Sequence, residues 1–199
     1  VDYATGMNAA LAVVSGVLET QRTGAAVQVD VSMLDTSLML MASLMSTHLT
    51  TGWVPRQSGN EAWSQSPSSG AFQTSDGVLM LAANNEPQFQ RMCHAIGAPE
   101  ILQDPRWSTP QDRRENAADL REALNAVYLT RPATEWEAIL AEVAAPAGRI
   151  RGLEEILHED QVAARGLMST LQIEGLDRPV HVPSLSFVAN GQPTTATSA

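Results

Sequence analysis

The chain has 199 residues, 44% of them hydrophobic and 17% charged, which predicts a folded globular protein of one or two domains rather than a disordered one. A net charge of -10 excludes nucleic acid and anionic lipid as natural partners, because both are held mainly through Lys and Arg. All 12 basic residues are Arg, so lysine catalysis and lysine phosphate anchors are excluded too.

Residues Ala4 to Thr20 mix Leu11, Val13, Val14, Val17 and Leu18 with Ala and Gly, apolar on every side, which predicts a helix that needs neighbours all round. Gly24 suits the left-handed position just after it. From Val27 to Met33 apolar and polar residues alternate, the period of a strand with one buried face. Asp35 is placed to cap a following helix whose apolar run is Leu38 to Met41 with Leu44 and Met45. Helix, strand and helix in succession read as part of an α/β layer structure. Residues Gly52 to Gly70 carry Pro, Gly, Ser and Asn without periodicity and read as a long linker.

A second unit starts at Ala71. Asp76-Gly77 predicts a hairpin between Ala71–Thr74 and Val78–Ala82. Asn84 or Asn85 caps a helix with the core stripe Phe89, Met92, Cys93 and Ile96, stopped by Gly97. One helix is expected over about Arg113 to Tyr128. Another carries Trp136, Ile139, Leu140 and Val143, opened by a Thr134–Glu137 capping box. A short strand at Gly148–Ile150, helical segments near Leu153–Leu157 and Asp160–Arg165, and a hairpin of Leu171–Ile173 with Val180–Val182 complete the order. The tail from Gln192 is polar and reads as loose.

Two stretches resemble class III (formyl-CoA type) CoA-transferases. The first is Asp2-Tyr3-Ala4-Thr5-Gly6, a small-residue helix, Thr23-Gly24, then Val29, Val31, Met33 and Asp35 at alternate positions. The second holds Phe72 to Gly77, Ile96 to Glu100, Asp104-Pro105-Arg106-Trp107, Arg114-Glu115-Asn116, Glu135-Trp136 and Asp160 to Gly166 in that order. Ala26 stands where the family has a second glycine, and its glycine-rich loop is reduced to Pro67-Ser68-Ser69-Gly70. The resemblance implies an α/β fold: a fragment of a Rossmann-like CoA-binding large domain plus a small α+β domain joined by long linkers. Residues 1–35 would end the large-domain segment, 36–70 form a linker helix and loop, 71–160 the small domain, and 161–199 a return linker with a β-hairpin. It further implies an interlocked homodimer, with coenzyme A as substrate in acyl-CoA form and no permanently bound cofactor; a cytoplasmic location is expected from the single cysteine, which suits a reducing compartment.

The reaction implied is transfer of CoA from an acyl-CoA to a carboxylic acid, with Asp2 as the nucleophile that carries the acyl group. By the same resemblance Met33 lines the CoA pocket and Gly70 belongs to a loop over the acyl group. On spacing alone Asp2 reads as a helix N-cap, Met33 as an inward strand methionine and Gly70 as a linker glycine. The alternative activity is a 2-methylacyl-CoA racemase, which shares the fold and exchanges an α-proton between this aspartate and an upstream histidine. Val1 reads like the middle of an element, so the chain is expected to be a piece that is inactive without the rest. Neither His-x-x-x-His nor Cys-x-x-Cys occurs, which gives no local metal signature. Cys93 reads as a buried thiol, suited to a reducing compartment, and His158 among its acidic neighbours as a solvated surface group.

Overall fold

The computed structural model describes residues 1–57, 59 and 66–194. It divides into two compact units, Val1–Gln57 and Ser58–Ala199.

In the first unit α1 runs over Asp2–Thr23 and ends on Gly24, whose φ of 72° is the left-handed one that glycine adopts freely. None of its residues is buried: Leu11 is 65% and Leu18 61% exposed, so the cover that their chemistry demands is not supplied by this unit. The expected strand at Val27–Met33 does not form a ladder with any described residue. A strand needs a partner for its N–H and C=O groups, and here there is none. Its alternation survives only as packing, for Val27 and Val29 lie against α1 where a Cβ on Gly16 would come within 3.8 and 3.4 Å of their methyls. The second helix, α2, spans Met33–Leu40. Ser32, not Asp35, caps it, its Oγ accepting from the Asp35 N–H at 3.0 Å. The apolar run expected as one helix breaks at Met41, and α3 covers Ala42–Thr51.

The second unit is built on a three-stranded antiparallel sheet of β1 (Ser69–Gln73), β2 (Val78–Ala82) and β3 (Ala147–Arg149), with β2 in the middle. Alternation sends Leu79 and Leu81 of β2 into the core and leaves Met80 partly exposed. Covering helices are α4 (Glu86–Ala95), α6 (Ala117–Tyr128) and α7 (Ala133–Glu142), with the short α5 (Pro110–Glu115) ahead of α6. Asn85 and Gln88 close a capping box at the start of α4, and Phe89, Met92 and Cys93 form its buried stripe. Tyr128 joins Phe72 and Trp136, with ring centroids 5.2 and 5.5 Å away, and the Trp136 Nε1–H donates to the Tyr128 carbonyl.

Two expected helix starts are corrected. The helix expected from Arg113 is two, broken at Asn116, because Thr109 and Asp112 form their own capping box for α5. No Thr134–Glu137 box forms either: Pro132 precedes α7, and the Ala133 N–H is capped at 2.8 Å by Asp76 Oδ1 from the β1–β2 turn. Glu137 is committed elsewhere. It accepts from the Arg149 N–H and from both Nη atoms of Arg151, while Glu159 and Glu155 hold the far sides of Arg151 and Arg149. This network fastens α7 and β3 to α8 (Leu153–Ile156) and α9 (Asp160–Arg165). Two small hairpins follow, β4 (Met168–Leu171) with β5 (Val180–Pro183), and β6 (Val188–Ala189) with β7 (Gln192–Pro193). The first begins three residues before the expected Leu171, and the second gives order to the start of the tail; residues 195–199 lie outside the described ones.

The Arg151 hydrogen bonds, aided by the Arg149 N–H and both guanidinium charges, hold the Glu137 carboxyl below its ordinary 4.5. A carboxylate whose pKa is lowered by folding stabilises fully above the unfolded value and loses that contribution as pH falls through the folded one. Glu137→Gln is therefore expected to cost about 1 kcal/mol at neutral pH. It should also flatten the decline in urea midpoint below pH 4.5, a comparison made by denaturing both proteins across that range.

Candidate active site

The first-unit residues singled out by resemblance sit at two helix starts. Val1 occupies the N-cap position of α1, so Asp2 is a first-turn residue and not the cap. Its carboxylate is exposed and makes no hydrogen bond or ion pair with another described residue. Thr5 turns inward along the helix, its Oγ1 donating to the Val1 carbonyl at 3.0 Å. Gly6 lies one turn after Asp2 on the same face, and a Cβ there would meet nothing within 4 Å. The Asp-x-x-Thr-Gly spacing thus leaves an unshielded patch of backbone beside a solvent-facing carboxylate, at the helix end that favours negative charge.

Met33 is the first residue of α2 and is 53% exposed, not an inward strand residue. Asn8 of α1 donates to the buried Thr36 of α2 at 3.4 Å, and Thr36 Oγ1 in turn bonds the Ser32 carbonyl. Asp2 and Met33 therefore open two helices that this contact ties together.

Gly70 belongs to the second unit and is not in a loop. It is the second residue of β1, buried and paired with Leu81. Its φ of 117° is closed to L side chains, so the strand can take this course only with glycine. The residues before it are bolted to the turn after β2: Ser68 Oγ donates to the Ala83 carbonyl at 2.8 Å and Ser69 Oγ to Asn84 Oδ1 at 2.7 Å. Arg121 of α6 completes the hold. Its guanidinium lies 4.6 Å over the Phe72 ring and donates to the carbonyls of Ser69 at 3.2 Å and Ala71 at 2.9 Å, with Pro67 at 3.5 Å. The spacing of Leu120 and Leu124 marks α6 as a core helix but carries no sign that the residue between them reaches back some 50 positions, so Arg121 was not legible.

The cysteine and the histidines sit in different settings. Cys93 is buried, and burial pushes its thiol up to about 12, while His94 beside it faces solvent. His48, His158 and His181 place Nδ1 on the Trp53 carbonyl, the Glu154 carbonyl and Thr170 Oγ1.

A family model for CoA-transferase family III matches residues 1–199. The chain belongs to CoA-transferase family III. An acetyl-CoA:oxalate CoA-transferase of Acetobacter aceti is 28% identical over 181 residues, 86% of this chain and 46% of the relative. A succinate–glutarate CoA-transferase of Agrobacterium fabrum is 30% identical over 173 residues, 87% of this chain and 43% of the relative. The chain thus spans less than half the length of these relatives. The fold of Rv3272 from Mycobacterium tuberculosis matches 97% of this chain and 52% of its own, with a TM-score of 0.77 at 24% identity. The mixed helix and strand architecture expected from the sequence is that of the family, and no described helix is long and apolar enough to cross a membrane.

Arg121→Ala removes a cation from an aromatic face and leaves strand-edge carbonyls without their donor. It is expected to destabilise the second unit by about 2 kcal/mol, whereas Arg121→Lys should lose roughly half of that, read from urea midpoints. Gly70→Ala should cost about 1–3 kcal/mol through strain at its φ.

Proposed function

We propose that this chain is the part of a CoA-transferase that carries its covalent carboxylate, and that Asp2 is that group. The observation that carries the reading is the Asp2 side chain itself, exposed and without a partner among the described residues, in the first turn of α1 with bare Gly6 one turn on. A carboxylate bound in an ion pair would be a poor nucleophile; this one is available.

The Asp2 carboxylate adds to the acyl carbon of the donor thioester, the C–S bond breaks, and CoA leaves as thiolate with a mixed anhydride behind it. The thiolate then attacks the aspartyl carbonyl, releasing the donor acid as carboxylate and leaving CoA on Asp2 as a thioester. The acceptor carboxylate repeats the first step on this thioester, and the returning thiolate takes the acceptor acyl group and restores Asp2. No net proton moves, so no general base is needed. Unpaired N–H groups at the start of α1 offset the oxyanion that develops in each addition. Met33 is assigned to contact CoA. The whole protein is taken to work as an interlocked homodimer in the cytoplasm, an assembly that would cover the apolar sides of α1. CoA enters and leaves as substrate, and the 199 residues alone are expected to bind it weakly and not to turn over.

The test uses this chain completed to the relatives' length. After incubation with an acyl-CoA, hydroxylamine should convert Asp2 to its hydroxamate, found by peptide mass spectrometry, and Asp2→Asn should abolish both adduct and turnover, at least 1,000-fold. Solvent deuterium at the substrate α-carbon with no adduct on Asp2 would instead identify the racemase reaction.

A further inference from the structure

Arginine placement in the second unit marks a site outside these residues. Between the segment before β1 and the starts of α4 and α5 lies an open cleft lined among others by Ser66, Asn84, Asn85, Glu86, Arg113 and Arg114. Its floor is prepared. The Arg113 side chain is only 8% exposed, lies 4.2 Å over the Phe89 ring, and donates from Nη1 to the Trp107 carbonyl at 2.9 Å and from Nη2 to Glu86. A guanidinium has five N–H donors, so three of Arg113's have no acceptor among the described residues. At the mouth Arg114 is exposed and pairs with no acid among them. Among the described residues Glu86 is the one acid in the lining, already engaged by Arg113, and Arg113 and Arg114 together outnumber it.

We infer that this cleft is a binding site for a small carboxylate, held by Arg114 at the mouth and by the unspent donors of Arg113 below. Planar guanidinium groups match the two oxygens of a carboxylate, and a donor buried beside an aromatic face gains most from an acceptor that arrives desolvated. Asn85, whose side-chain oxygen accepts from the Gln88 N–H, has only a neutral amide N–H to offer a carboxylate and no charge. The assignment stands on residues of the second unit alone and is independent of the chemistry given to Asp2.

The 199-residue chain, labelled with nitrogen-15, is titrated with succinate and, separately, with inorganic phosphate and succinamide at constant ionic strength. Succinate is expected to shift the Nε–H signals of Arg113 and Arg114 and to saturate. Arg114→Gln should weaken it by about tenfold, the order of one charge-assisted hydrogen bond, with partial recovery in Arg114→Lys. Arg178→Gln, at another exposed and unpaired arginine, should change nothing. Shifts that never saturate, an unaltered affinity in Arg114→Gln, or succinamide binding as well as succinate would overturn the site. Phosphate binding more tightly than succinate would overturn its assignment to a carboxylate.

Discussion

The free edge of β1 is the feature on which the second unit turns. In the order β1-β2-β3 only one side of β1 meets a partner strand, so alternate carbonyls along its other side have no ladder to enter. Arg121 answers them from α6, reaching the carbonyls of Ser69 and Ala71 while its face stacks on Phe72, the next residue along. One side chain thereby blunts an aggregation-prone edge, docks α6, and holds the strand on the course that Gly70 alone can follow. Phe72, pinned from above, is the ring against which Tyr128 and then Trp136 are packed.

The first unit is organised by the opposite circumstance. Its helices carry apolar residues on all sides and bury almost none of them; Thr36 is the one buried residue in α2, and α1 and α3 have none. The Val27–Met33 segment keeps a strand's alternation without a ladder. In the same unit Asp2 has no partner among the described residues. An exposed carboxylate and an uncovered apolar helix occur together in this unit.

Charge is distributed with the same economy. Most arginines of the second unit are spent on acids or carbonyls: Arg106 on Asp104 and Asp119, Arg131 on Glu135, Arg149 and Arg151 on three glutamates, and Arg91 and Arg121 on backbone oxygen. Those pairs hold elements together and leave little positive surface. Against that background Arg113 and Arg114 differ in lining one cleft together, Arg113 with only two of its donors used, on Glu86 and the Trp107 carbonyl.

Local chemistry was legible from the residues alone. The helix cap at Asn84 or Asn85, the Phe89–Met92–Cys93 stripe, the left-handed Gly24 and the Asp76-Gly77 hairpin each depend on spacings of a few residues, and each formed, the cap on Asn85. The family, too, was written in the order of its motifs. What tertiary structure decided was which of several competent groups took each role. Ser32 displaced Asp35 as a cap, Asp76 supplied the cap that Thr134 did not, Glu137 went to Arg151, and Arg121 found carbonyls some 50 residues away. A cap or a turn is settled within one turn of backbone, whereas a long side chain is claimed by whichever partner folding brings near, and that depends on the whole chain.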